Sequence, residues 1–306
     1  MVHYFLSKLL EALVAVWGVL TIVFFVTRIL GDPAALLLPT GASAQELDAL
    51  RVQLGLNQPV LDQYLHYLLQ ILHGDFGVSF QFQRPALEVV MERMPATLEL
   101  AFAAILFGTL FGVIAGTIAA LNRGKLAELI VMVFALLGQA TPVFWLGIMF
   151  VLLFAVELGI LPTGGRGTLA HTVLPAMTLA IFVCASIARL LRSSLLDVLR
   201  EDYVRTARAK GLMPRTILIW HVARNALIPV VTMIGIIMGE LLGGSVVTET
   251  VFAWPGIGRL IIQAIETKDF PVIQAGVMLI AFIFVAINLL IDLAYGFLDP
   301  RIRERR

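Results

Sequence analysis

The acidic side chains that fall inside apolar runs are the first candidates for chemistry. Glu240 lies deep in one such run, Asp292 stands near the end of another, and Glu99 near the outer end of a third. A charge in hydrocarbon costs at least about 2.5 kcal/mol, so these groups face a protein interior or a wet cavity. Glu240 is the candidate for lining a solute pathway. Gln139 joins it, because Gln139 and Thr141 precede Pro142 at a predicted helix kink, where polar side chains can replace a lost backbone bond. Asp292 and Glu99 read as structural ion partners or interface residues. Catalytic constellations are missing. No Gly-x4-Gly-Lys-Ser/Thr loop occurs, since Gly124-Lys125 lacks the upstream glycine and the hydroxyl. Neither His-Glu-x-x-His nor Gly-x-Ser-x-Gly is present. His3, His66, His73, His171 and His221 are scattered, which argues against a preformed metal site. The single cysteine, Cys184, sits in an apolar run as a small packing residue. The expectation is no catalytic residue, no metal and no cofactor in this chain. Uphill transport would then draw on a partner or an ion gradient.

A second group of residues is suited to docking. Asp197 to Lys210 mixes charge with small residues, Gly211 breaks that helix, and Pro214 opens the next at a position where its missing N–H costs nothing. Ile217, Leu218, Trp220 and Val222 give the second helix an apolar side. Ala207 and Gly211 would leave a bare strip that seats closely in a partner's cleft, while Arg205, Arg208 and Lys210 supply ionic contacts. The same segment also fits a basic amphipathic helix lying on anionic lipid.

Between the first two apolar runs, residues 31–95 carry helical signals. Ser43-Ala44-Gln45-Glu46 is a capping box; Leu47, Leu50 and Leu54 share one face, and Gly55 can end the helix. A second helix should start near Pro59, carry a stripe of Val60, Leu61, Tyr64, Leu65, Leu68 and Leu72, and stop at Gly74. Gly74-Asp75-Phe76-Gly77 follows as a turn. So small a subdomain must rest its apolar faces on membrane spans, as a lid, or on another protein.

The elements that position these residues are set by lipid. Of 306 residues, 59% are hydrophobic and 14% charged, against about 25% charged in soluble domains. Mean hydropathy is +0.94. A span needs about 20 apolar residues, which predicts six: Leu9–Leu30, Ala96–Leu121, Leu129–Leu158, Val173–Leu191, Pro229–Val247 and Ile273–Leu298. The first reads as a retained signal anchor, with Gly31-Asp32-Pro33 as a turn after it. Lysine and arginine are densest between Arg189 and Arg224 and at Arg301–Arg306, which places both termini in the cytoplasm. Gly108, Gly112 and Gly116, and likewise Gly235, Gly239 and Gly243, recur every four residues. Such ladders let helices pack closely in a membrane, or leave room for a pathway. The domain reading is 1–30 as N-terminus and first span, 31–95 as an external helical subdomain, and 96–306 as the membrane core.

Several stretches together resemble the first, B-type permease subunit of bacterial dipeptide, oligopeptide and nickel ABC importers. They are Gly31-Asp32-Pro33, Leu54-Gly55-Leu56-Asn57-Gln58-Pro59, Gly74-Asp75-Phe76-Gly77, Pro95-Ala96-Thr97-Leu98-Glu99-Leu100, the run Glu201 to Gly211, Arg224-Asn225-Ala226, Trp254-Pro255-Gly256 and Asp299-Pro300-Arg301-Ile302-Arg303. The resemblance implies an all-α, multi-pass protein of the bacterial inner membrane with the type I ABC importer fold, in which 96–306 is the permease core with a cytoplasmic coupling helix around 201–222. It also implies a homologous second permease, two cytoplasmic ATPase subunits carrying ATP and Mg, a periplasmic or lipid-anchored solute-binding protein, and no nucleic acid. Its coupling motif, Glu-Ala-Ala-x3-Gly, falls on Arg205-Thr206-Ala207-x3-Gly211, with the Glu and first Ala replaced. ATPase coupling is thereby expected at Tyr203, Arg205, Thr206, Ala207, Arg208, Ala209, Lys210 and Gly211, and binding-protein docking at Asp75, Phe76 and Gly77. The implied substrate is a di- or oligopeptide; nickel, metal chelates and glutathione are alternatives. A gradient-driven secondary transporter, and a non-transporting scaffold or sensor, are the rival classes.

Overall fold

The structure, a computed structural model, describes residues 2–30, 34, 43–53 and 55–298. At residues 2–5, 30, 53, 243–244 and 292–298 that description is of the backbone alone. The Gly31-Asp32-Pro33 turn, Leu54, the tail from Asp299 to Arg306 and the side chain of Asp292 lie outside it. Among the described residues the regular structure is helical, and the one extended pairing is an isolated bridge between Val78 and Pro85.

Four stretches are long and apolar enough to cross a membrane unaided: Leu6–Ile29, Ala86–Leu121, Leu169–Val198 and Phe270–Ile291. Two bent pairs raise the number to six if each pair is one span: Leu126–Ala140 with Val143–Glu157, and Pro214–Ala226 with Ile228–Leu242. The sequence predicted a kinked third span, and the structure turns it by 103°. At the corner Pro142 has no N–H to continue the helix. The Thr141 hydroxyl donates instead to the Leu137 carbonyl (2.7 Å).

The chain forms two compact units, Met1–Thr97 with Pro255–Arg306, and Leu98–Trp254. In the first, α1 (Val2–Leu30) runs against the last helix, Phe270–Leu298, and the Gln274 amide donates to Thr27 Oγ1 (3.2 Å). The capping box forms as read at α2 (Ala44–Gln53). The Ser43 backbone N–H donates to Glu46 Oε2 (2.8 Å), and the Glu46 N–H donates to Ser43 Oγ (3.3 Å). Gly55 and Gly74 have φ of +67° and +75°, the left-handed region that suits glycine after a helix. Between them α3 (Val60–Leu72) lays Tyr64, Tyr67, Leu68 and Ile71 against Val16, Leu20 and Phe24 of α1. Of the expected stripe only Tyr64 and Leu68 rest on the span. Val60, Leu61, Leu65 and Leu72 are exposed, and the contact face turns instead through Tyr67 and Ile71, three residues along from Tyr64 and Leu68 respectively. A second cluster joins α4 (Ala86–Met91) to Ile257, Leu260, Ile261 and Ala264, which recur at helical spacing, and to Phe270, Val272, Ile273 and Ala275. Buried Asp269 closes this unit: it accepts from Ser79 Oγ (2.5 Å) and from the Gln81 N–H (3.1 Å).

In the second unit the first glycine ladder is a packing device. A Cβ on Gly108 would lie 2.4 Å from Val183 Cβ, on Gly112 2.9 Å from Ile187 Cβ, and on Gly116 2.7 Å from the Ala188 carbonyl oxygen. Helix α5 (Met94–Leu121) therefore approaches the later helix Leu169–Val198 at distances only glycine permits. The other helices of this unit are α6 (Leu126–Ala140), α7 (Val143–Phe150), α8 (Leu169–Val198), α9 (Asp202–Ala209), α10 (Pro214–Thr216), α11 (Ala223–Ala226), α12 (Ile228–Gly244) and α13 (Val246–Val251). Two ends are pinned by charge. Glu99 pairs with Arg166 (2.7 Å) and accepts from Thr172 Oγ1 (3.2 Å), and Glu128 pairs with Arg192. Glu99 is thus a structural ion partner. The first unit ends with α14 (Ile257–Glu266) and α15 (Phe270–Leu298).

Candidate functional site

The segment expected to couple to a motor is a short helical hairpin. Helix α8 ends at Val198, and α9 starts after Glu201, whose backbone is extended. Its end is a glycine cap. Gly211 has φ +76°, its N–H donates to the Arg208 carbonyl (2.9 Å), and the Leu212 N–H reaches back to Ala207 (3.3 Å). Pro214 then opens α10 at its first position, and the chain passes through a π-helical turn, Ile217–Val222, into α11.

Two faces of α9 separate cleanly. Val204 and Ala207, three residues apart, are buried within the chain. Arg205, Thr206, Arg208, Ala209, Lys210 and Gly211 are exposed. The expected bare strip of Ala207 and Gly211 is therefore divided. Ala207 belongs to the inner face because it follows the one bulky apolar residue, Val204, by a helical turn. Gly211 stands in the open, with nothing within 4 Å of a Cβ built on it. Tyr203 acts inside the hairpin: its hydroxyl accepts from Asn225 Nδ2 (2.8 Å) and donates to the His221 carbonyl (3.3 Å). Sequence reasoning noted Asn225 only as part of a matching stretch. Its spacing to Tyr203 gave no local signal of their bond.

The pathway candidates fall apart from one another. Glu240 is exposed on α12 and lines a cavity of about 360 Å3 with Val143, Phe144, Phe182 and Ile237. Gln139 is exposed on α6, and is not among the residues lining that cavity. The second glycine ladder shares α12 with Glu240, and Gly239 is buried there. Asp75, Phe76 and Gly77 form a fixed turn in the first unit. Asp75 Oδ1 accepts from the Gly77 N–H (2.8 Å), Gly77 has φ +82°, and half-buried Phe76 packs on the α4–α14–α15 cluster. Trp254 is buried, and its N–H donates to the Glu249 carbonyl (2.8 Å). Ser79 and Asp269, which sequence reasoning passed over, hold the following loop. Asp269 before Phe270-Pro271 carries a helix-start signal, but its partner lies 190 residues away.

Apolar helices long enough to cross a membrane, with a short basic hairpin in the chain between two of them, define a multi-spanning membrane protein. Its architecture matches solved transmembrane subunits of type I ABC importers. One is an amino acid ABC transporter, with TM-score 0.57 and 16% identity over 69% of this chain and 94% of that chain. Another is the inward-facing MetNI methionine ABC transporter, with TM-score 0.53 and 21% identity over 67% and 92%. At such identities the likeness is one of fold. The chain belongs to the family described as binding-protein-dependent transport system inner membrane component, matched over residues 90–304, and the corresponding N-terminal family matches residues 1–101. The glutathione transport system permease protein GsiC of Escherichia coli (strain K12) is 43% identical over 306 residues, 100% of both chains. GsiC of Shigella dysenteriae serotype 1 (strain Sd197) is 43% identical over the same span. The protein is an inner-membrane ABC importer permease subunit of the dipeptide, oligopeptide and nickel class.

Proposed function

We propose that this permease forms half of a translocation pathway for di- or oligopeptides, delivered by a periplasmic or lipid-anchored binding protein. A homologous second permease supplies the other half. Two cytoplasmic ATPase subunits bind ATP and Mg and perform the hydrolysis, while this chain catalyses nothing. The observation that carries the reading is α9: a short helix anchored by Val204, Ala207 and Tyr203, offering Arg205, Arg208, Lys210 and Gly211 outward. Closure of the ATPases moves this helix, the spans attached to it rotate, and the pathway opens outward to receive solute; hydrolysis resets it inward. Only different docking energies in the two states can couple the sites. Both termini face the cytoplasm in this scheme. Residues 31–95, with the Asp75–Gly77 turn, meet the binding protein, residues 96–306 form the permease core, and Glu240 and Gln139 line the pathway.

A narrower reading is favoured by the relatives at 43% identity, whose names specify glutathione. Glutathione is a tripeptide, so this reading lies within the peptide class. Photo-cross-linking tests the docking assignment. A photoreactive residue at exposed Ala209, in the co-expressed complex, should give adducts with the ATPase subunit, and one at exposed Gln81 should give none. Equal labelling from both positions, or none from Ala209, would refute it.

A further inference from the structure

The unit made of residues 1–97 and 255–306 contains a cavity of about 640 Å3, which the coupling mechanism does not use. That volume falls within the range of small-molecule sites, roughly 300–1,000 Å3. It lies where the end of α1, α3, the Gly77–Gln83 loop and the start of α15 meet.

Three features of its wall are those of a binding site. The first is Arg28, the one arginine or lysine among the described lining residues, which include no Asp or Glu. The Arg28 guanidinium stacks 3.6 Å over the Phe24 ring and donates to Gln63 Oε1, and among the described residues it has no carboxylate partner. A half-buried charge that meets no carboxylate among the described residues is costly within them, and an incoming anion would relieve that cost. The second is Tyr67. The residue lines the same cavity, and its hydroxyl, enclosed and without a hydrogen-bond partner among the described residues, would have to turn toward the cavity to meet a ligand. Burial pushes the Tyr67 hydroxyl above its usual range, so it stays a protonated donor. The third is amide density: Gln58 and Gln70 stand on the wall with Gln83 and Gln274, whose amides each donate once within the chain, to the Phe80 carbonyl and to Thr27 Oγ1, while Gln63 is held by Arg28, Leu56 and Gln58. An amide both donates and accepts, which matches a peptide's own N–H and C=O groups.

We propose that this cavity binds a short peptide-like molecule by its free carboxylate, with Arg28 as the fork and Tyr67 as an added donor. A guanidinium pairs with a carboxylate through two parallel bonds. One guanidinium neutralises one charge, which suits a monocarboxylate better than a phosphate dianion. Half-buried Phe80 supplies apolar wall for small side chains, with buried Phe24 and Phe270 behind it. The carboxylate assignment rests on Arg28 alone; the peptide backbone of the ligand rests on the peptide-class reading above.

The complete transporter, in phosphatidylcholine nanodiscs without nucleotide or binding protein, would be titrated with acetyl-Ala-Ala, its C-terminal carboxamide, and inorganic phosphate. A Phe80→Trp substitution places a fluorescent reporter on the cavity wall. Saturable binding of the acid is expected, with the carboxamide and phosphate each weaker by tenfold or more. Arg28→Met should weaken the acid by tenfold or more and Tyr67→Phe several-fold. Gln70→Trp, which narrows the cavity but keeps the guanidinium, should also weaken it and guards against misfolding of the Arg28 variant. The proposal is overturned if the acid does not saturate, if acid and carboxamide bind alike, if phosphate binds more tightly, or if neither Arg28→Met nor Gln70→Trp changes binding. ATP-driven uptake of the same peptide is scored separately, so that a failed transport reading and a failed site are told apart.

Discussion

Replacing Gly211 in two ways separates the cost of its backbone conformation from the cost of blocking what docks on it. Gly211 has φ +76°, so any L-residue with a Cβ meets left-handed strain of about 1–2 kcal/mol. Nothing lies within 4 Å of the added Cβ, so alanine meets no clash and arginine leaves the backbone into open space. Gly211→Ala and Gly211→Arg therefore carry the same strain and differ only in what projects outward. The strain acts on the end of α9, where a penalty of that size shifts a local equilibrium by roughly 5- to 30-fold. Gly211→Ala should leave ATP-driven uptake measurable but reduced, in proteoliposomes containing the partner subunits. Gly211→Arg, whose side chain fills the docking face, should abolish uptake while membrane insertion is unchanged. Wild-type uptake by Gly211→Arg would refute the docking claim, and equal activity of the two variants would show that backbone strain is the whole effect.

Gly108→Ala would put a Cβ 2.4 Å from Val183 Cβ, and the overpacking should cost about 1–3 kcal/mol, read as a lower Tm in thermal unfolding. Ser79→Ala removes the hydroxyl that donates to buried Asp269. Leaving that acceptor short of a donor should cost about 1–3 kcal/mol, seen as faster amide exchange at Gln81 and Phe82. Acid should loosen the start of α2. The Ser43 backbone N–H, and then its hydroxyl, hold Glu46 below the usual carboxylate range. That contribution is present above the unfolded-state pKa and is lost as pH falls through the lowered folded-state value. Amide protection in residues 46–49, corrected for intrinsic exchange, should fall with acidification in the wild type and be flat in Glu46→Gln.

Local signals were legible wherever a few neighbouring residues decide the outcome. The Ser43–Glu46 box, the Gly211 stop with the Pro214 start, and the Gly108–Gly112–Gly116 ladder all appear in the structure as their chemistry required. The proline break was legible at Pro142, but its 103° angle was not. That angle goes with how α7 packs, with Gly147 against Phe252 beyond α13. The inward turn of Ala207 was legible in principle, since Tyr203 and Val204 stand four and three residues before it and the three share one face of this eight-residue helix. Bonds between distant residues, Ser79 with Asp269 and Tyr203 with Asn225, leave no trace in either neighbourhood. Arg28 was masked for the opposite reason. It closes an apolar span, where a cation is unremarkable at a helix C-terminus, and only the folded unit shows that no carboxylate among the described residues meets it.

The central claim is that a separate motor grips this membrane bundle through the exposed face of α9. Solute uptake into proteoliposomes tests it most directly, comparing the full chain alone with the full chain plus second permease, ATPases, binding protein and ATP. Uptake is expected only from the complete set, and it should stop when ATP is withheld. Uptake by the isolated chain, without nucleotide or companions, would contradict the account.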